Sequence, residues 1–341
     1  MLKKIILGLL LILIAICLWN WRWVQYGYYQ AKGQLRVILE ARPIEEFLLD
    51  PNYPDSLKQK LQLTKVVRRY AIDSLGLLQS DNYTKLFDQG GKTLLWNVSA
   101  SEPYELKAYR WDYPFLGSMP YKGFFDLEKA KVEARKLQDE GYDVRIRTVG
   151  GWSTLGILED PLLSNMLERN DGALAEVIIH ELTHATLFIK NEIEFNENLA
   201  SFIGEKGAEM FLISHFGDSS DQHLEYIQSE ADSKLLTQLI LEGAKRLDSL
   251  YQTFQVQEYL SSAVKDSLKV NTIAAITRSL DSANFYNDRY HQIFETTQPN
   301  NAYFMAFRRY HDQEDTIMSI YNSHNGNFKA MINDLKSKYG K

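Results

Sequence analysis

Two histidines flank a glutamate in the segment His180-Glu181-Leu182-Thr183-His184. On a helix, residues four apart stand one above the other, so both imidazoles can reach one metal ion. Glu181 then points about a quarter-turn away, close enough to hold a water without being a ligand. That arrangement fits zinc-dependent hydrolysis, in which a catalytic ion takes three protein ligands and leaves one position open. Two histidines and a glutamate set among Val177, Ile178, Ile179, Leu182 and Leu187 are also costly to bury without partners, and a metal supplies one.

The third ligand has to come from elsewhere, and Glu197 is the candidate. Asn191-Glu192 offers a stop for the first helix, and a second helix starting near Glu194 would run back beside it. Glu197, Ser201, Gly204 and Ala208 share one face of that second helix, so below the carboxylate the face carries only small residues. Two helices packed there approach closely enough to share an ion. Neutral His180 and His184 with ionised Glu197 leave a site of one Zn²⁺ per chain near +1, lowering the pKa of bound water toward ~7. Glu181 is the expected general base and acid. Glu176 and Glu205 could support the ligands, although an exposed helix charge is the simpler reading of each.

Stepping outward, Asp126 reads as the N-cap of a helix carrying Leu127, Ala130, Ala134 and Leu137, which Gly141 stops. Lys92–Ser99, Tyr104–Arg110 and Val144–Thr148 read as short strands, and Gln25–Leu49 as a helix. Asn170-Asp171-Gly172 starts the metal helix, and the chain beyond residue 195 is helical in pattern, with a long amphipathic stripe from Leu224 to Leu250. The expected fold class is α+β, predominantly α: zincin-like, with a small sheet before the metal helix. Residues 25–341 form the metallopeptidase domain, with 219–341 a helical C-terminal subdomain. The strand before the metal helix could take a peptide substrate at its edge.

Lys3 and Lys4 precede an apolar run from Ile5 to Leu18, followed by Trp19, Trp21 and Trp23. A basic start, an apolar stretch and an aromatic belt describe an uncleaved membrane anchor over residues 1–24. This places the catalytic domain on the periplasmic side of an inner membrane. A lipidated Cys17 is the second choice, because Ile16 stands where a lipoprotein site wants a small residue. The chain of 341 residues carries a net charge of −6 and no basic stripe, which argues against a nucleic-acid partner. No protein partner is inferable.

Further segments are distinctive: Tyr121-Lys122-Gly123-Phe124-Phe125-Asp126, Ser153-Thr154-Leu155-Gly156, Asp160-Pro161-Leu162-Leu163, Phe195-Asn196-Glu197 and Asn300-Asn301-Ala302. Together with the histidine motif they resemble a bacterial family of predicted zinc aminopeptidases. The N-terminal Gly33-Gln34-Leu35 and Ala41-Arg42-Pro43-Ile44 are similar to how such proteins begin, so the likeness spans about 25 to 310. It implies a gluzincin-type peptidase of the Gram-negative envelope, with Glu197 as the third ligand. Gly151, Trp152, Ser153, Asn301 and Tyr310 are the candidate substrate-binding residues. The readings that stay open are an aminopeptidase, an endopeptidase, a non-catalytic metal- or peptide-binding protein, and a helical interaction module with secondary activity.

Overall fold

In a computed structural model, which describes residues 2–113, 117–149, 158–257, 259–311 and 314–339, helices dominate and the strands form small sheets. The class is α+β, predominantly α. Helix α1 (Leu2–Trp19) leads through Asn20 into α2 (Trp21–Glu40). Then follow β1 (Arg42–Pro43), α3 (Ile44–Leu49), α4 (Asp55–Asp73), β2 (Lys85–Phe87), β3 (Trp96–Ser101), β4 (Trp111–Tyr113), β5 (Gly117–Met119) and β6 (Lys122–Phe124). Helix α5 (Leu127–Asp139) precedes β7 (Asp143–Thr148) and β8 (Leu162–Leu163). The rest is helical: α6 (Asp171–Thr186), α7 (Ile193–Phe216), α8 (Asp221–Val256), α9 (Ser262–Asp281), α10 (Asn301–His311), α11 (Glu314–Ser323) and α12 (Phe328–Tyr339), with a 3₁₀ turn at Asp288–Gln292.

The expected membrane anchor is corrected here. Among the described residues, no helix is long and apolar enough to cross a membrane. This overturns the transmembrane segment, the membrane partner and the inner-membrane, periplasm-facing placement. The physical reason is length. Lys3 and Lys4 occupy the first turn of α1, so the apolar run Ile5–Leu18 spans about 21 Å at ~1.5 Å per residue, against a hydrocarbon core of about 30 Å. Helix α2 instead packs on the protein: Tyr26 Oη and Gln30 Nε2 both donate to Gly123 O, at 2.9 and 2.7 Å.

Local chemistry also redraws two other elements. The helix expected over Gln25–Leu49 breaks after Glu40, because Arg42 and Pro43 pair with Leu86 and Lys85 as a short strand. Tyr104–Arg110 is not a strand. There Ser101 Oγ donates to the carbonyls of Glu105 and Lys107, curling the chain into a turn, and only an isolated bridge joins Ser101 to Ala108. The expected N-cap holds: Asp126 Oδ1 accepts from the amides of Glu128 and Lys129, and Gly141 ends that segment at φ +93°.

Strands β6, β3 and β7 form an antiparallel sheet in that order, so β7 is an edge. Val98, Ala100 and Phe124 on this sheet pack against Ala130, Ala134 and Leu137 of α5. Strand β2 lies between β1 and β8, parallel to the latter. The largest core surrounds the metal helix: Ile178, Ile179 and Leu182 pack with residues of α4, α7 and α12, such as Leu61, Phe211 and Met331. A second core, with Ile240, Leu247, Ile276 and Phe304, joins α8, α9 and α10.

A buried polar knot fastens this second core to the sheet. Asn301 is fully buried; its side chain accepts from Tyr251 Oη at 2.8 Å and donates to the carbonyls of Glu102 and Pro103. Its backbone amide and Lys269 Nζ both reach Asp143 Oδ2, at 2.8 and 2.7 Å. Asn301→Ala removes three side-chain hydrogen bonds and strands the Glu102 carbonyl and the Tyr251 hydroxyl, while Pro103 O keeps its bond from Lys269 Nζ at 2.8 Å. It is expected to lower unfolding stability by about 3 kcal/mol. Urea unfolding of the variant checks this; a loss below about 0.5 kcal/mol would show the knot to be dispensable.

Candidate metal centre

Asn170 Oδ1 caps α6 by accepting from Ala173 N–H at 2.8 Å, and Asp171 places a carboxylate in the first turn, where the helix dipole favours it. The helix runs to Thr186 and the chain then reverses. Asn191 takes φ +67°, a left-handed conformation that asparagine tolerates better than most residues. Asn196, buried in the first turn of α7, clamps the reversal through both the amide and the carbonyl of Ile189, at 2.9 and 2.7 Å. This fixes how α7 returns along α6.

Close packing of the two helices depends on Gly204. A Cβ there would stand 3.1 Å from Glu176 O and 3.2 Å from His180 Cβ, so a side chain would push the helices apart. The face carrying Glu197, Ser201, Gly204 and Ala208 is thus the face that meets the metal helix. Seven residues before Gly204, Glu197 reaches both histidines.

His180 Nε2 and His184 Nε2 lie 3.2 Å apart, and Glu197 Oε2 lies 3.7 and 3.6 Å from them respectively. A tetrahedral zinc with bonds of about 2.0–2.2 Å requires ligand separations of roughly 3.3–3.5 Å. The three atoms form nearly that triangle, and nitrogen and carboxylate donors suit zinc chemically. Among the described residues, these three bring potential ligand atoms within 4.8 Å of one another. His184 is 6% exposed, so packing and the Nε2 contacts to His180 and Glu197 together orient that ring.

Electrostatics at the triangle are strongly coupled. Burial pushes the Glu197 carboxyl up, but His180 and His184 more than offset this and hold it well below the usual carboxylate range. Burial draws the His180 imidazole down, while Glu197, Glu181 and Glu176 carry it above its ordinary value. Burial raises the Glu181 carboxyl against the two histidines, with the charges of Glu197 and Asp160 adding to the rise. Glu181 therefore sits within the electrostatic reach of all three candidate ligands. Glu176 is half-buried rather than exposed: it accepts from Tyr226 Oη at 3.1 Å, and desolvation together with Glu205 pushes its carboxyl up.

Tyr83 has no counterpart among the residues that the sequence singles out. This fully buried tyrosine adopts φ +61°, a conformation costing of order 1–3 kcal/mol for a side chain of its size. Its amide donates to Asp160 O at 2.7 Å, and Asn82 Oδ1 accepts from Asp160 N–H at 2.9 Å, which pins the turn. Burial, then the charges of Glu181 and Asp160, push its hydroxyl well above the ordinary tyrosine range. Asp160, first residue of a segment singled out in the sequence without a role, thus joins the surroundings of Glu181. Nothing in the local sequence marks a non-glycine residue for positive φ.

Of the candidate substrate-binding residues, Gly151, Trp152 and Ser153 lie outside the described residues, as does the side chain of Tyr310 on α10, which leaves Asn301 to be placed. Asn301 has its side chain buried in the polar knot described above, with no surface to offer a substrate. Of the downstream histidines, His215 stacks on Phe211, while His223 Nδ1 and His291 Nδ1 meet the carbonyls of Asp218 and Leu280.

Residues 25–339 match a protein-family model described as "Putative aminopeptidase". No curated protein and no solved structure matches the chain.

Proposed function

Because this chain belongs to the family described as "Putative aminopeptidase", we propose that it is a zinc-dependent peptidase of gluzincin type that removes N-terminal residues from peptides. The observation that carries the reading is the triangle of His180 Nε2, His184 Nε2 and Glu197 Oε2, with Glu181 on the same helix. These three residues would hold one Zn²⁺ per chain. When bound, the ion supplies Lewis acidity, polarising a carbonyl and making water a stronger acid.

The chain's own residues do the remainder. Glu181 accepts a proton from the attacking water at its carboxylate and then delivers it to the departing amine nitrogen. Its partial burial removes competing water and brings its proton affinity closer to neutrality, which suits a group that must both take and give a proton. Glu197 contributes charge as well as a donor atom, since the two imidazoles keep it ionised. The charge of the buried Asp160 adds to the rise of the Glu181 carboxyl.

Strand β7 is the proposed place for the substrate backbone. Val149 N–H bonds Leu95 O, on the β3 side, whereas Asn300 Nδ2 donates to Val144 O. By the twofold alternation of a strand, Val144, Ile146 and Thr148 turn their backbone groups away from β3. Asn300 occupies the first of these positions and leaves the latter two for an added strand.

The test compares hydrolysis of aminoacyl and N-blocked peptides by the full chain. Cleavage restricted to free N-termini supports the aminopeptidase reading. Cleavage of blocked peptides alone would make the enzyme an endopeptidase.

A further inference from the structure

Beside the metal helix lies a cavity of about 620 Å³ that the chemistry above does not use. Ala185 forms part of its wall and stands one turn beyond Glu181, on the same face of α6. The facing wall is built from two further segments, around Asn82 and around Pro161. Asn82 and Pro161 line the cavity and adjoin Tyr83 and Asp160 in the chain. The hydrogen bond from Asp160 N–H to Asn82 Oδ1 locks these segments together.

The lining has two parts. Ile38, Leu78, Leu158 and Pro161 supply aliphatic walls, while Asp81, Glu159 and Lys85 supply charge, two acids against one base. Each acid faces a cation at ion-pair distance but beyond good hydrogen-bond length: Arg68 Nη2 lies 3.8 Å from Asp81 Oδ1, and Lys85 Nζ lies 3.5 Å from Glu159 Oε2. Arg68 gives its hydrogen bonds to the carbonyls of Ser80 and Asn82 instead. Both carboxylates therefore keep acceptor positions for a better-placed cation.

We propose that this cavity is the specificity pocket of the peptidase and takes the side chain of a lysine or arginine residue next to the bond that is cut. The aliphatic stem lies along the apolar walls, and the terminal cation meets Asp81 and Glu159. A neutral aliphatic side chain would fill the walls but give the two carboxylates no new partner. An acidic side chain would meet two like charges. The assignment rests on the peptidase reading, because only that reading makes the space beside Glu181 a substrate subsite.

Binding and turnover separate the two ideas. L-Lysinamide and L-norleucinamide share a four-carbon stem and differ in the terminal ammonium, so their affinities for the full chain, read by calorimetry, isolate the cation. Lysinamide is expected to bind about tenfold more tightly. In the D81N/E159Q double variant that preference is expected to shrink to within about twofold. Both acids are largely exposed, with 73% and 58% of their side chains accessible, so the substitutions do not threaten the fold. Equal binding by the unsubstituted chain, no binding of lysinamide, or a preference that survives in the double variant would each overturn the pocket. Hydrolysis of the matching lysyl and norleucyl peptides is read in parallel. A tenfold binding preference without any hydrolysis leaves the pocket standing as a cation site and overturns the peptidase reading alone.

Discussion

The Glu181→Gln variant is expected to lose about a thousandfold or more in kcat while keeping its zinc. Glutamine matches glutamate in shape and still accepts a hydrogen bond, so packing around α6 has no reason to change. It cannot accept the proton of the attacking water, nor return one to the leaving amine. Glu181 is not among the three atoms of the triangle, so its substitution spares the donors. Metal content and steady-state turnover of the same preparation check both halves. A variant within tenfold of the unsubstituted rate would remove Glu181 from the role given to it.

Glu197→Ala is expected to have the second large effect, on metal affinity. Loss of a hydrogen-bond partner outside the ligand set already costs about 10–100-fold in affinity. Loss of a ligand should cost more, so a fall of at least about 100-fold is expected in a zinc competition titration. The carboxylate is the one negative charge of the triangle, and without it two neutral imidazoles alone face a dication. Glu197→Gln should fall between, since it keeps an oxygen donor and loses the charge. Unchanged affinity in Glu197→Ala would mean that the third ligand is another group.

Much of the metal helix pair was legible in the sequence because its constraints are local. Asn170 as a cap, the reversal near Asn191 and the small-residue face below Glu197 each follow from a single residue's chemistry. The spacing of His180 and His184 is likewise set by the helix repeat, so the geometry of the pair needs no tertiary information. The family motifs carried more than they disclosed. Asn196 clamps the turn, Asp160 lies near Glu181, and Asn301 ties three helices to the sheet. None of those functions can be inferred from an asparagine or an aspartate in a string.

The rest required the third dimension. Tyr83 lies almost a hundred residues before Glu181, and its positive φ has no sequence signal of its own. Tyr104–Arg110 has strand-like residue types, yet the hydroxyl of Ser101 captures the carbonyls that a strand would need. The apolar N-terminal run reads as an anchor by composition, yet among the described residues no helix is long and apolar enough to cross a membrane.

In the proposed function, His180, His184 and Glu197 hold one catalytic zinc per chain. The direct measurement is elemental analysis of the purified full-length chain, paired with peptide hydrolysis before chelation, after chelation and after zinc is restored. One zinc per chain, activity lost with the metal, and activity recovered at one equivalent are the expected results. Undiminished hydrolysis by the metal-free chain would contradict the claim outright.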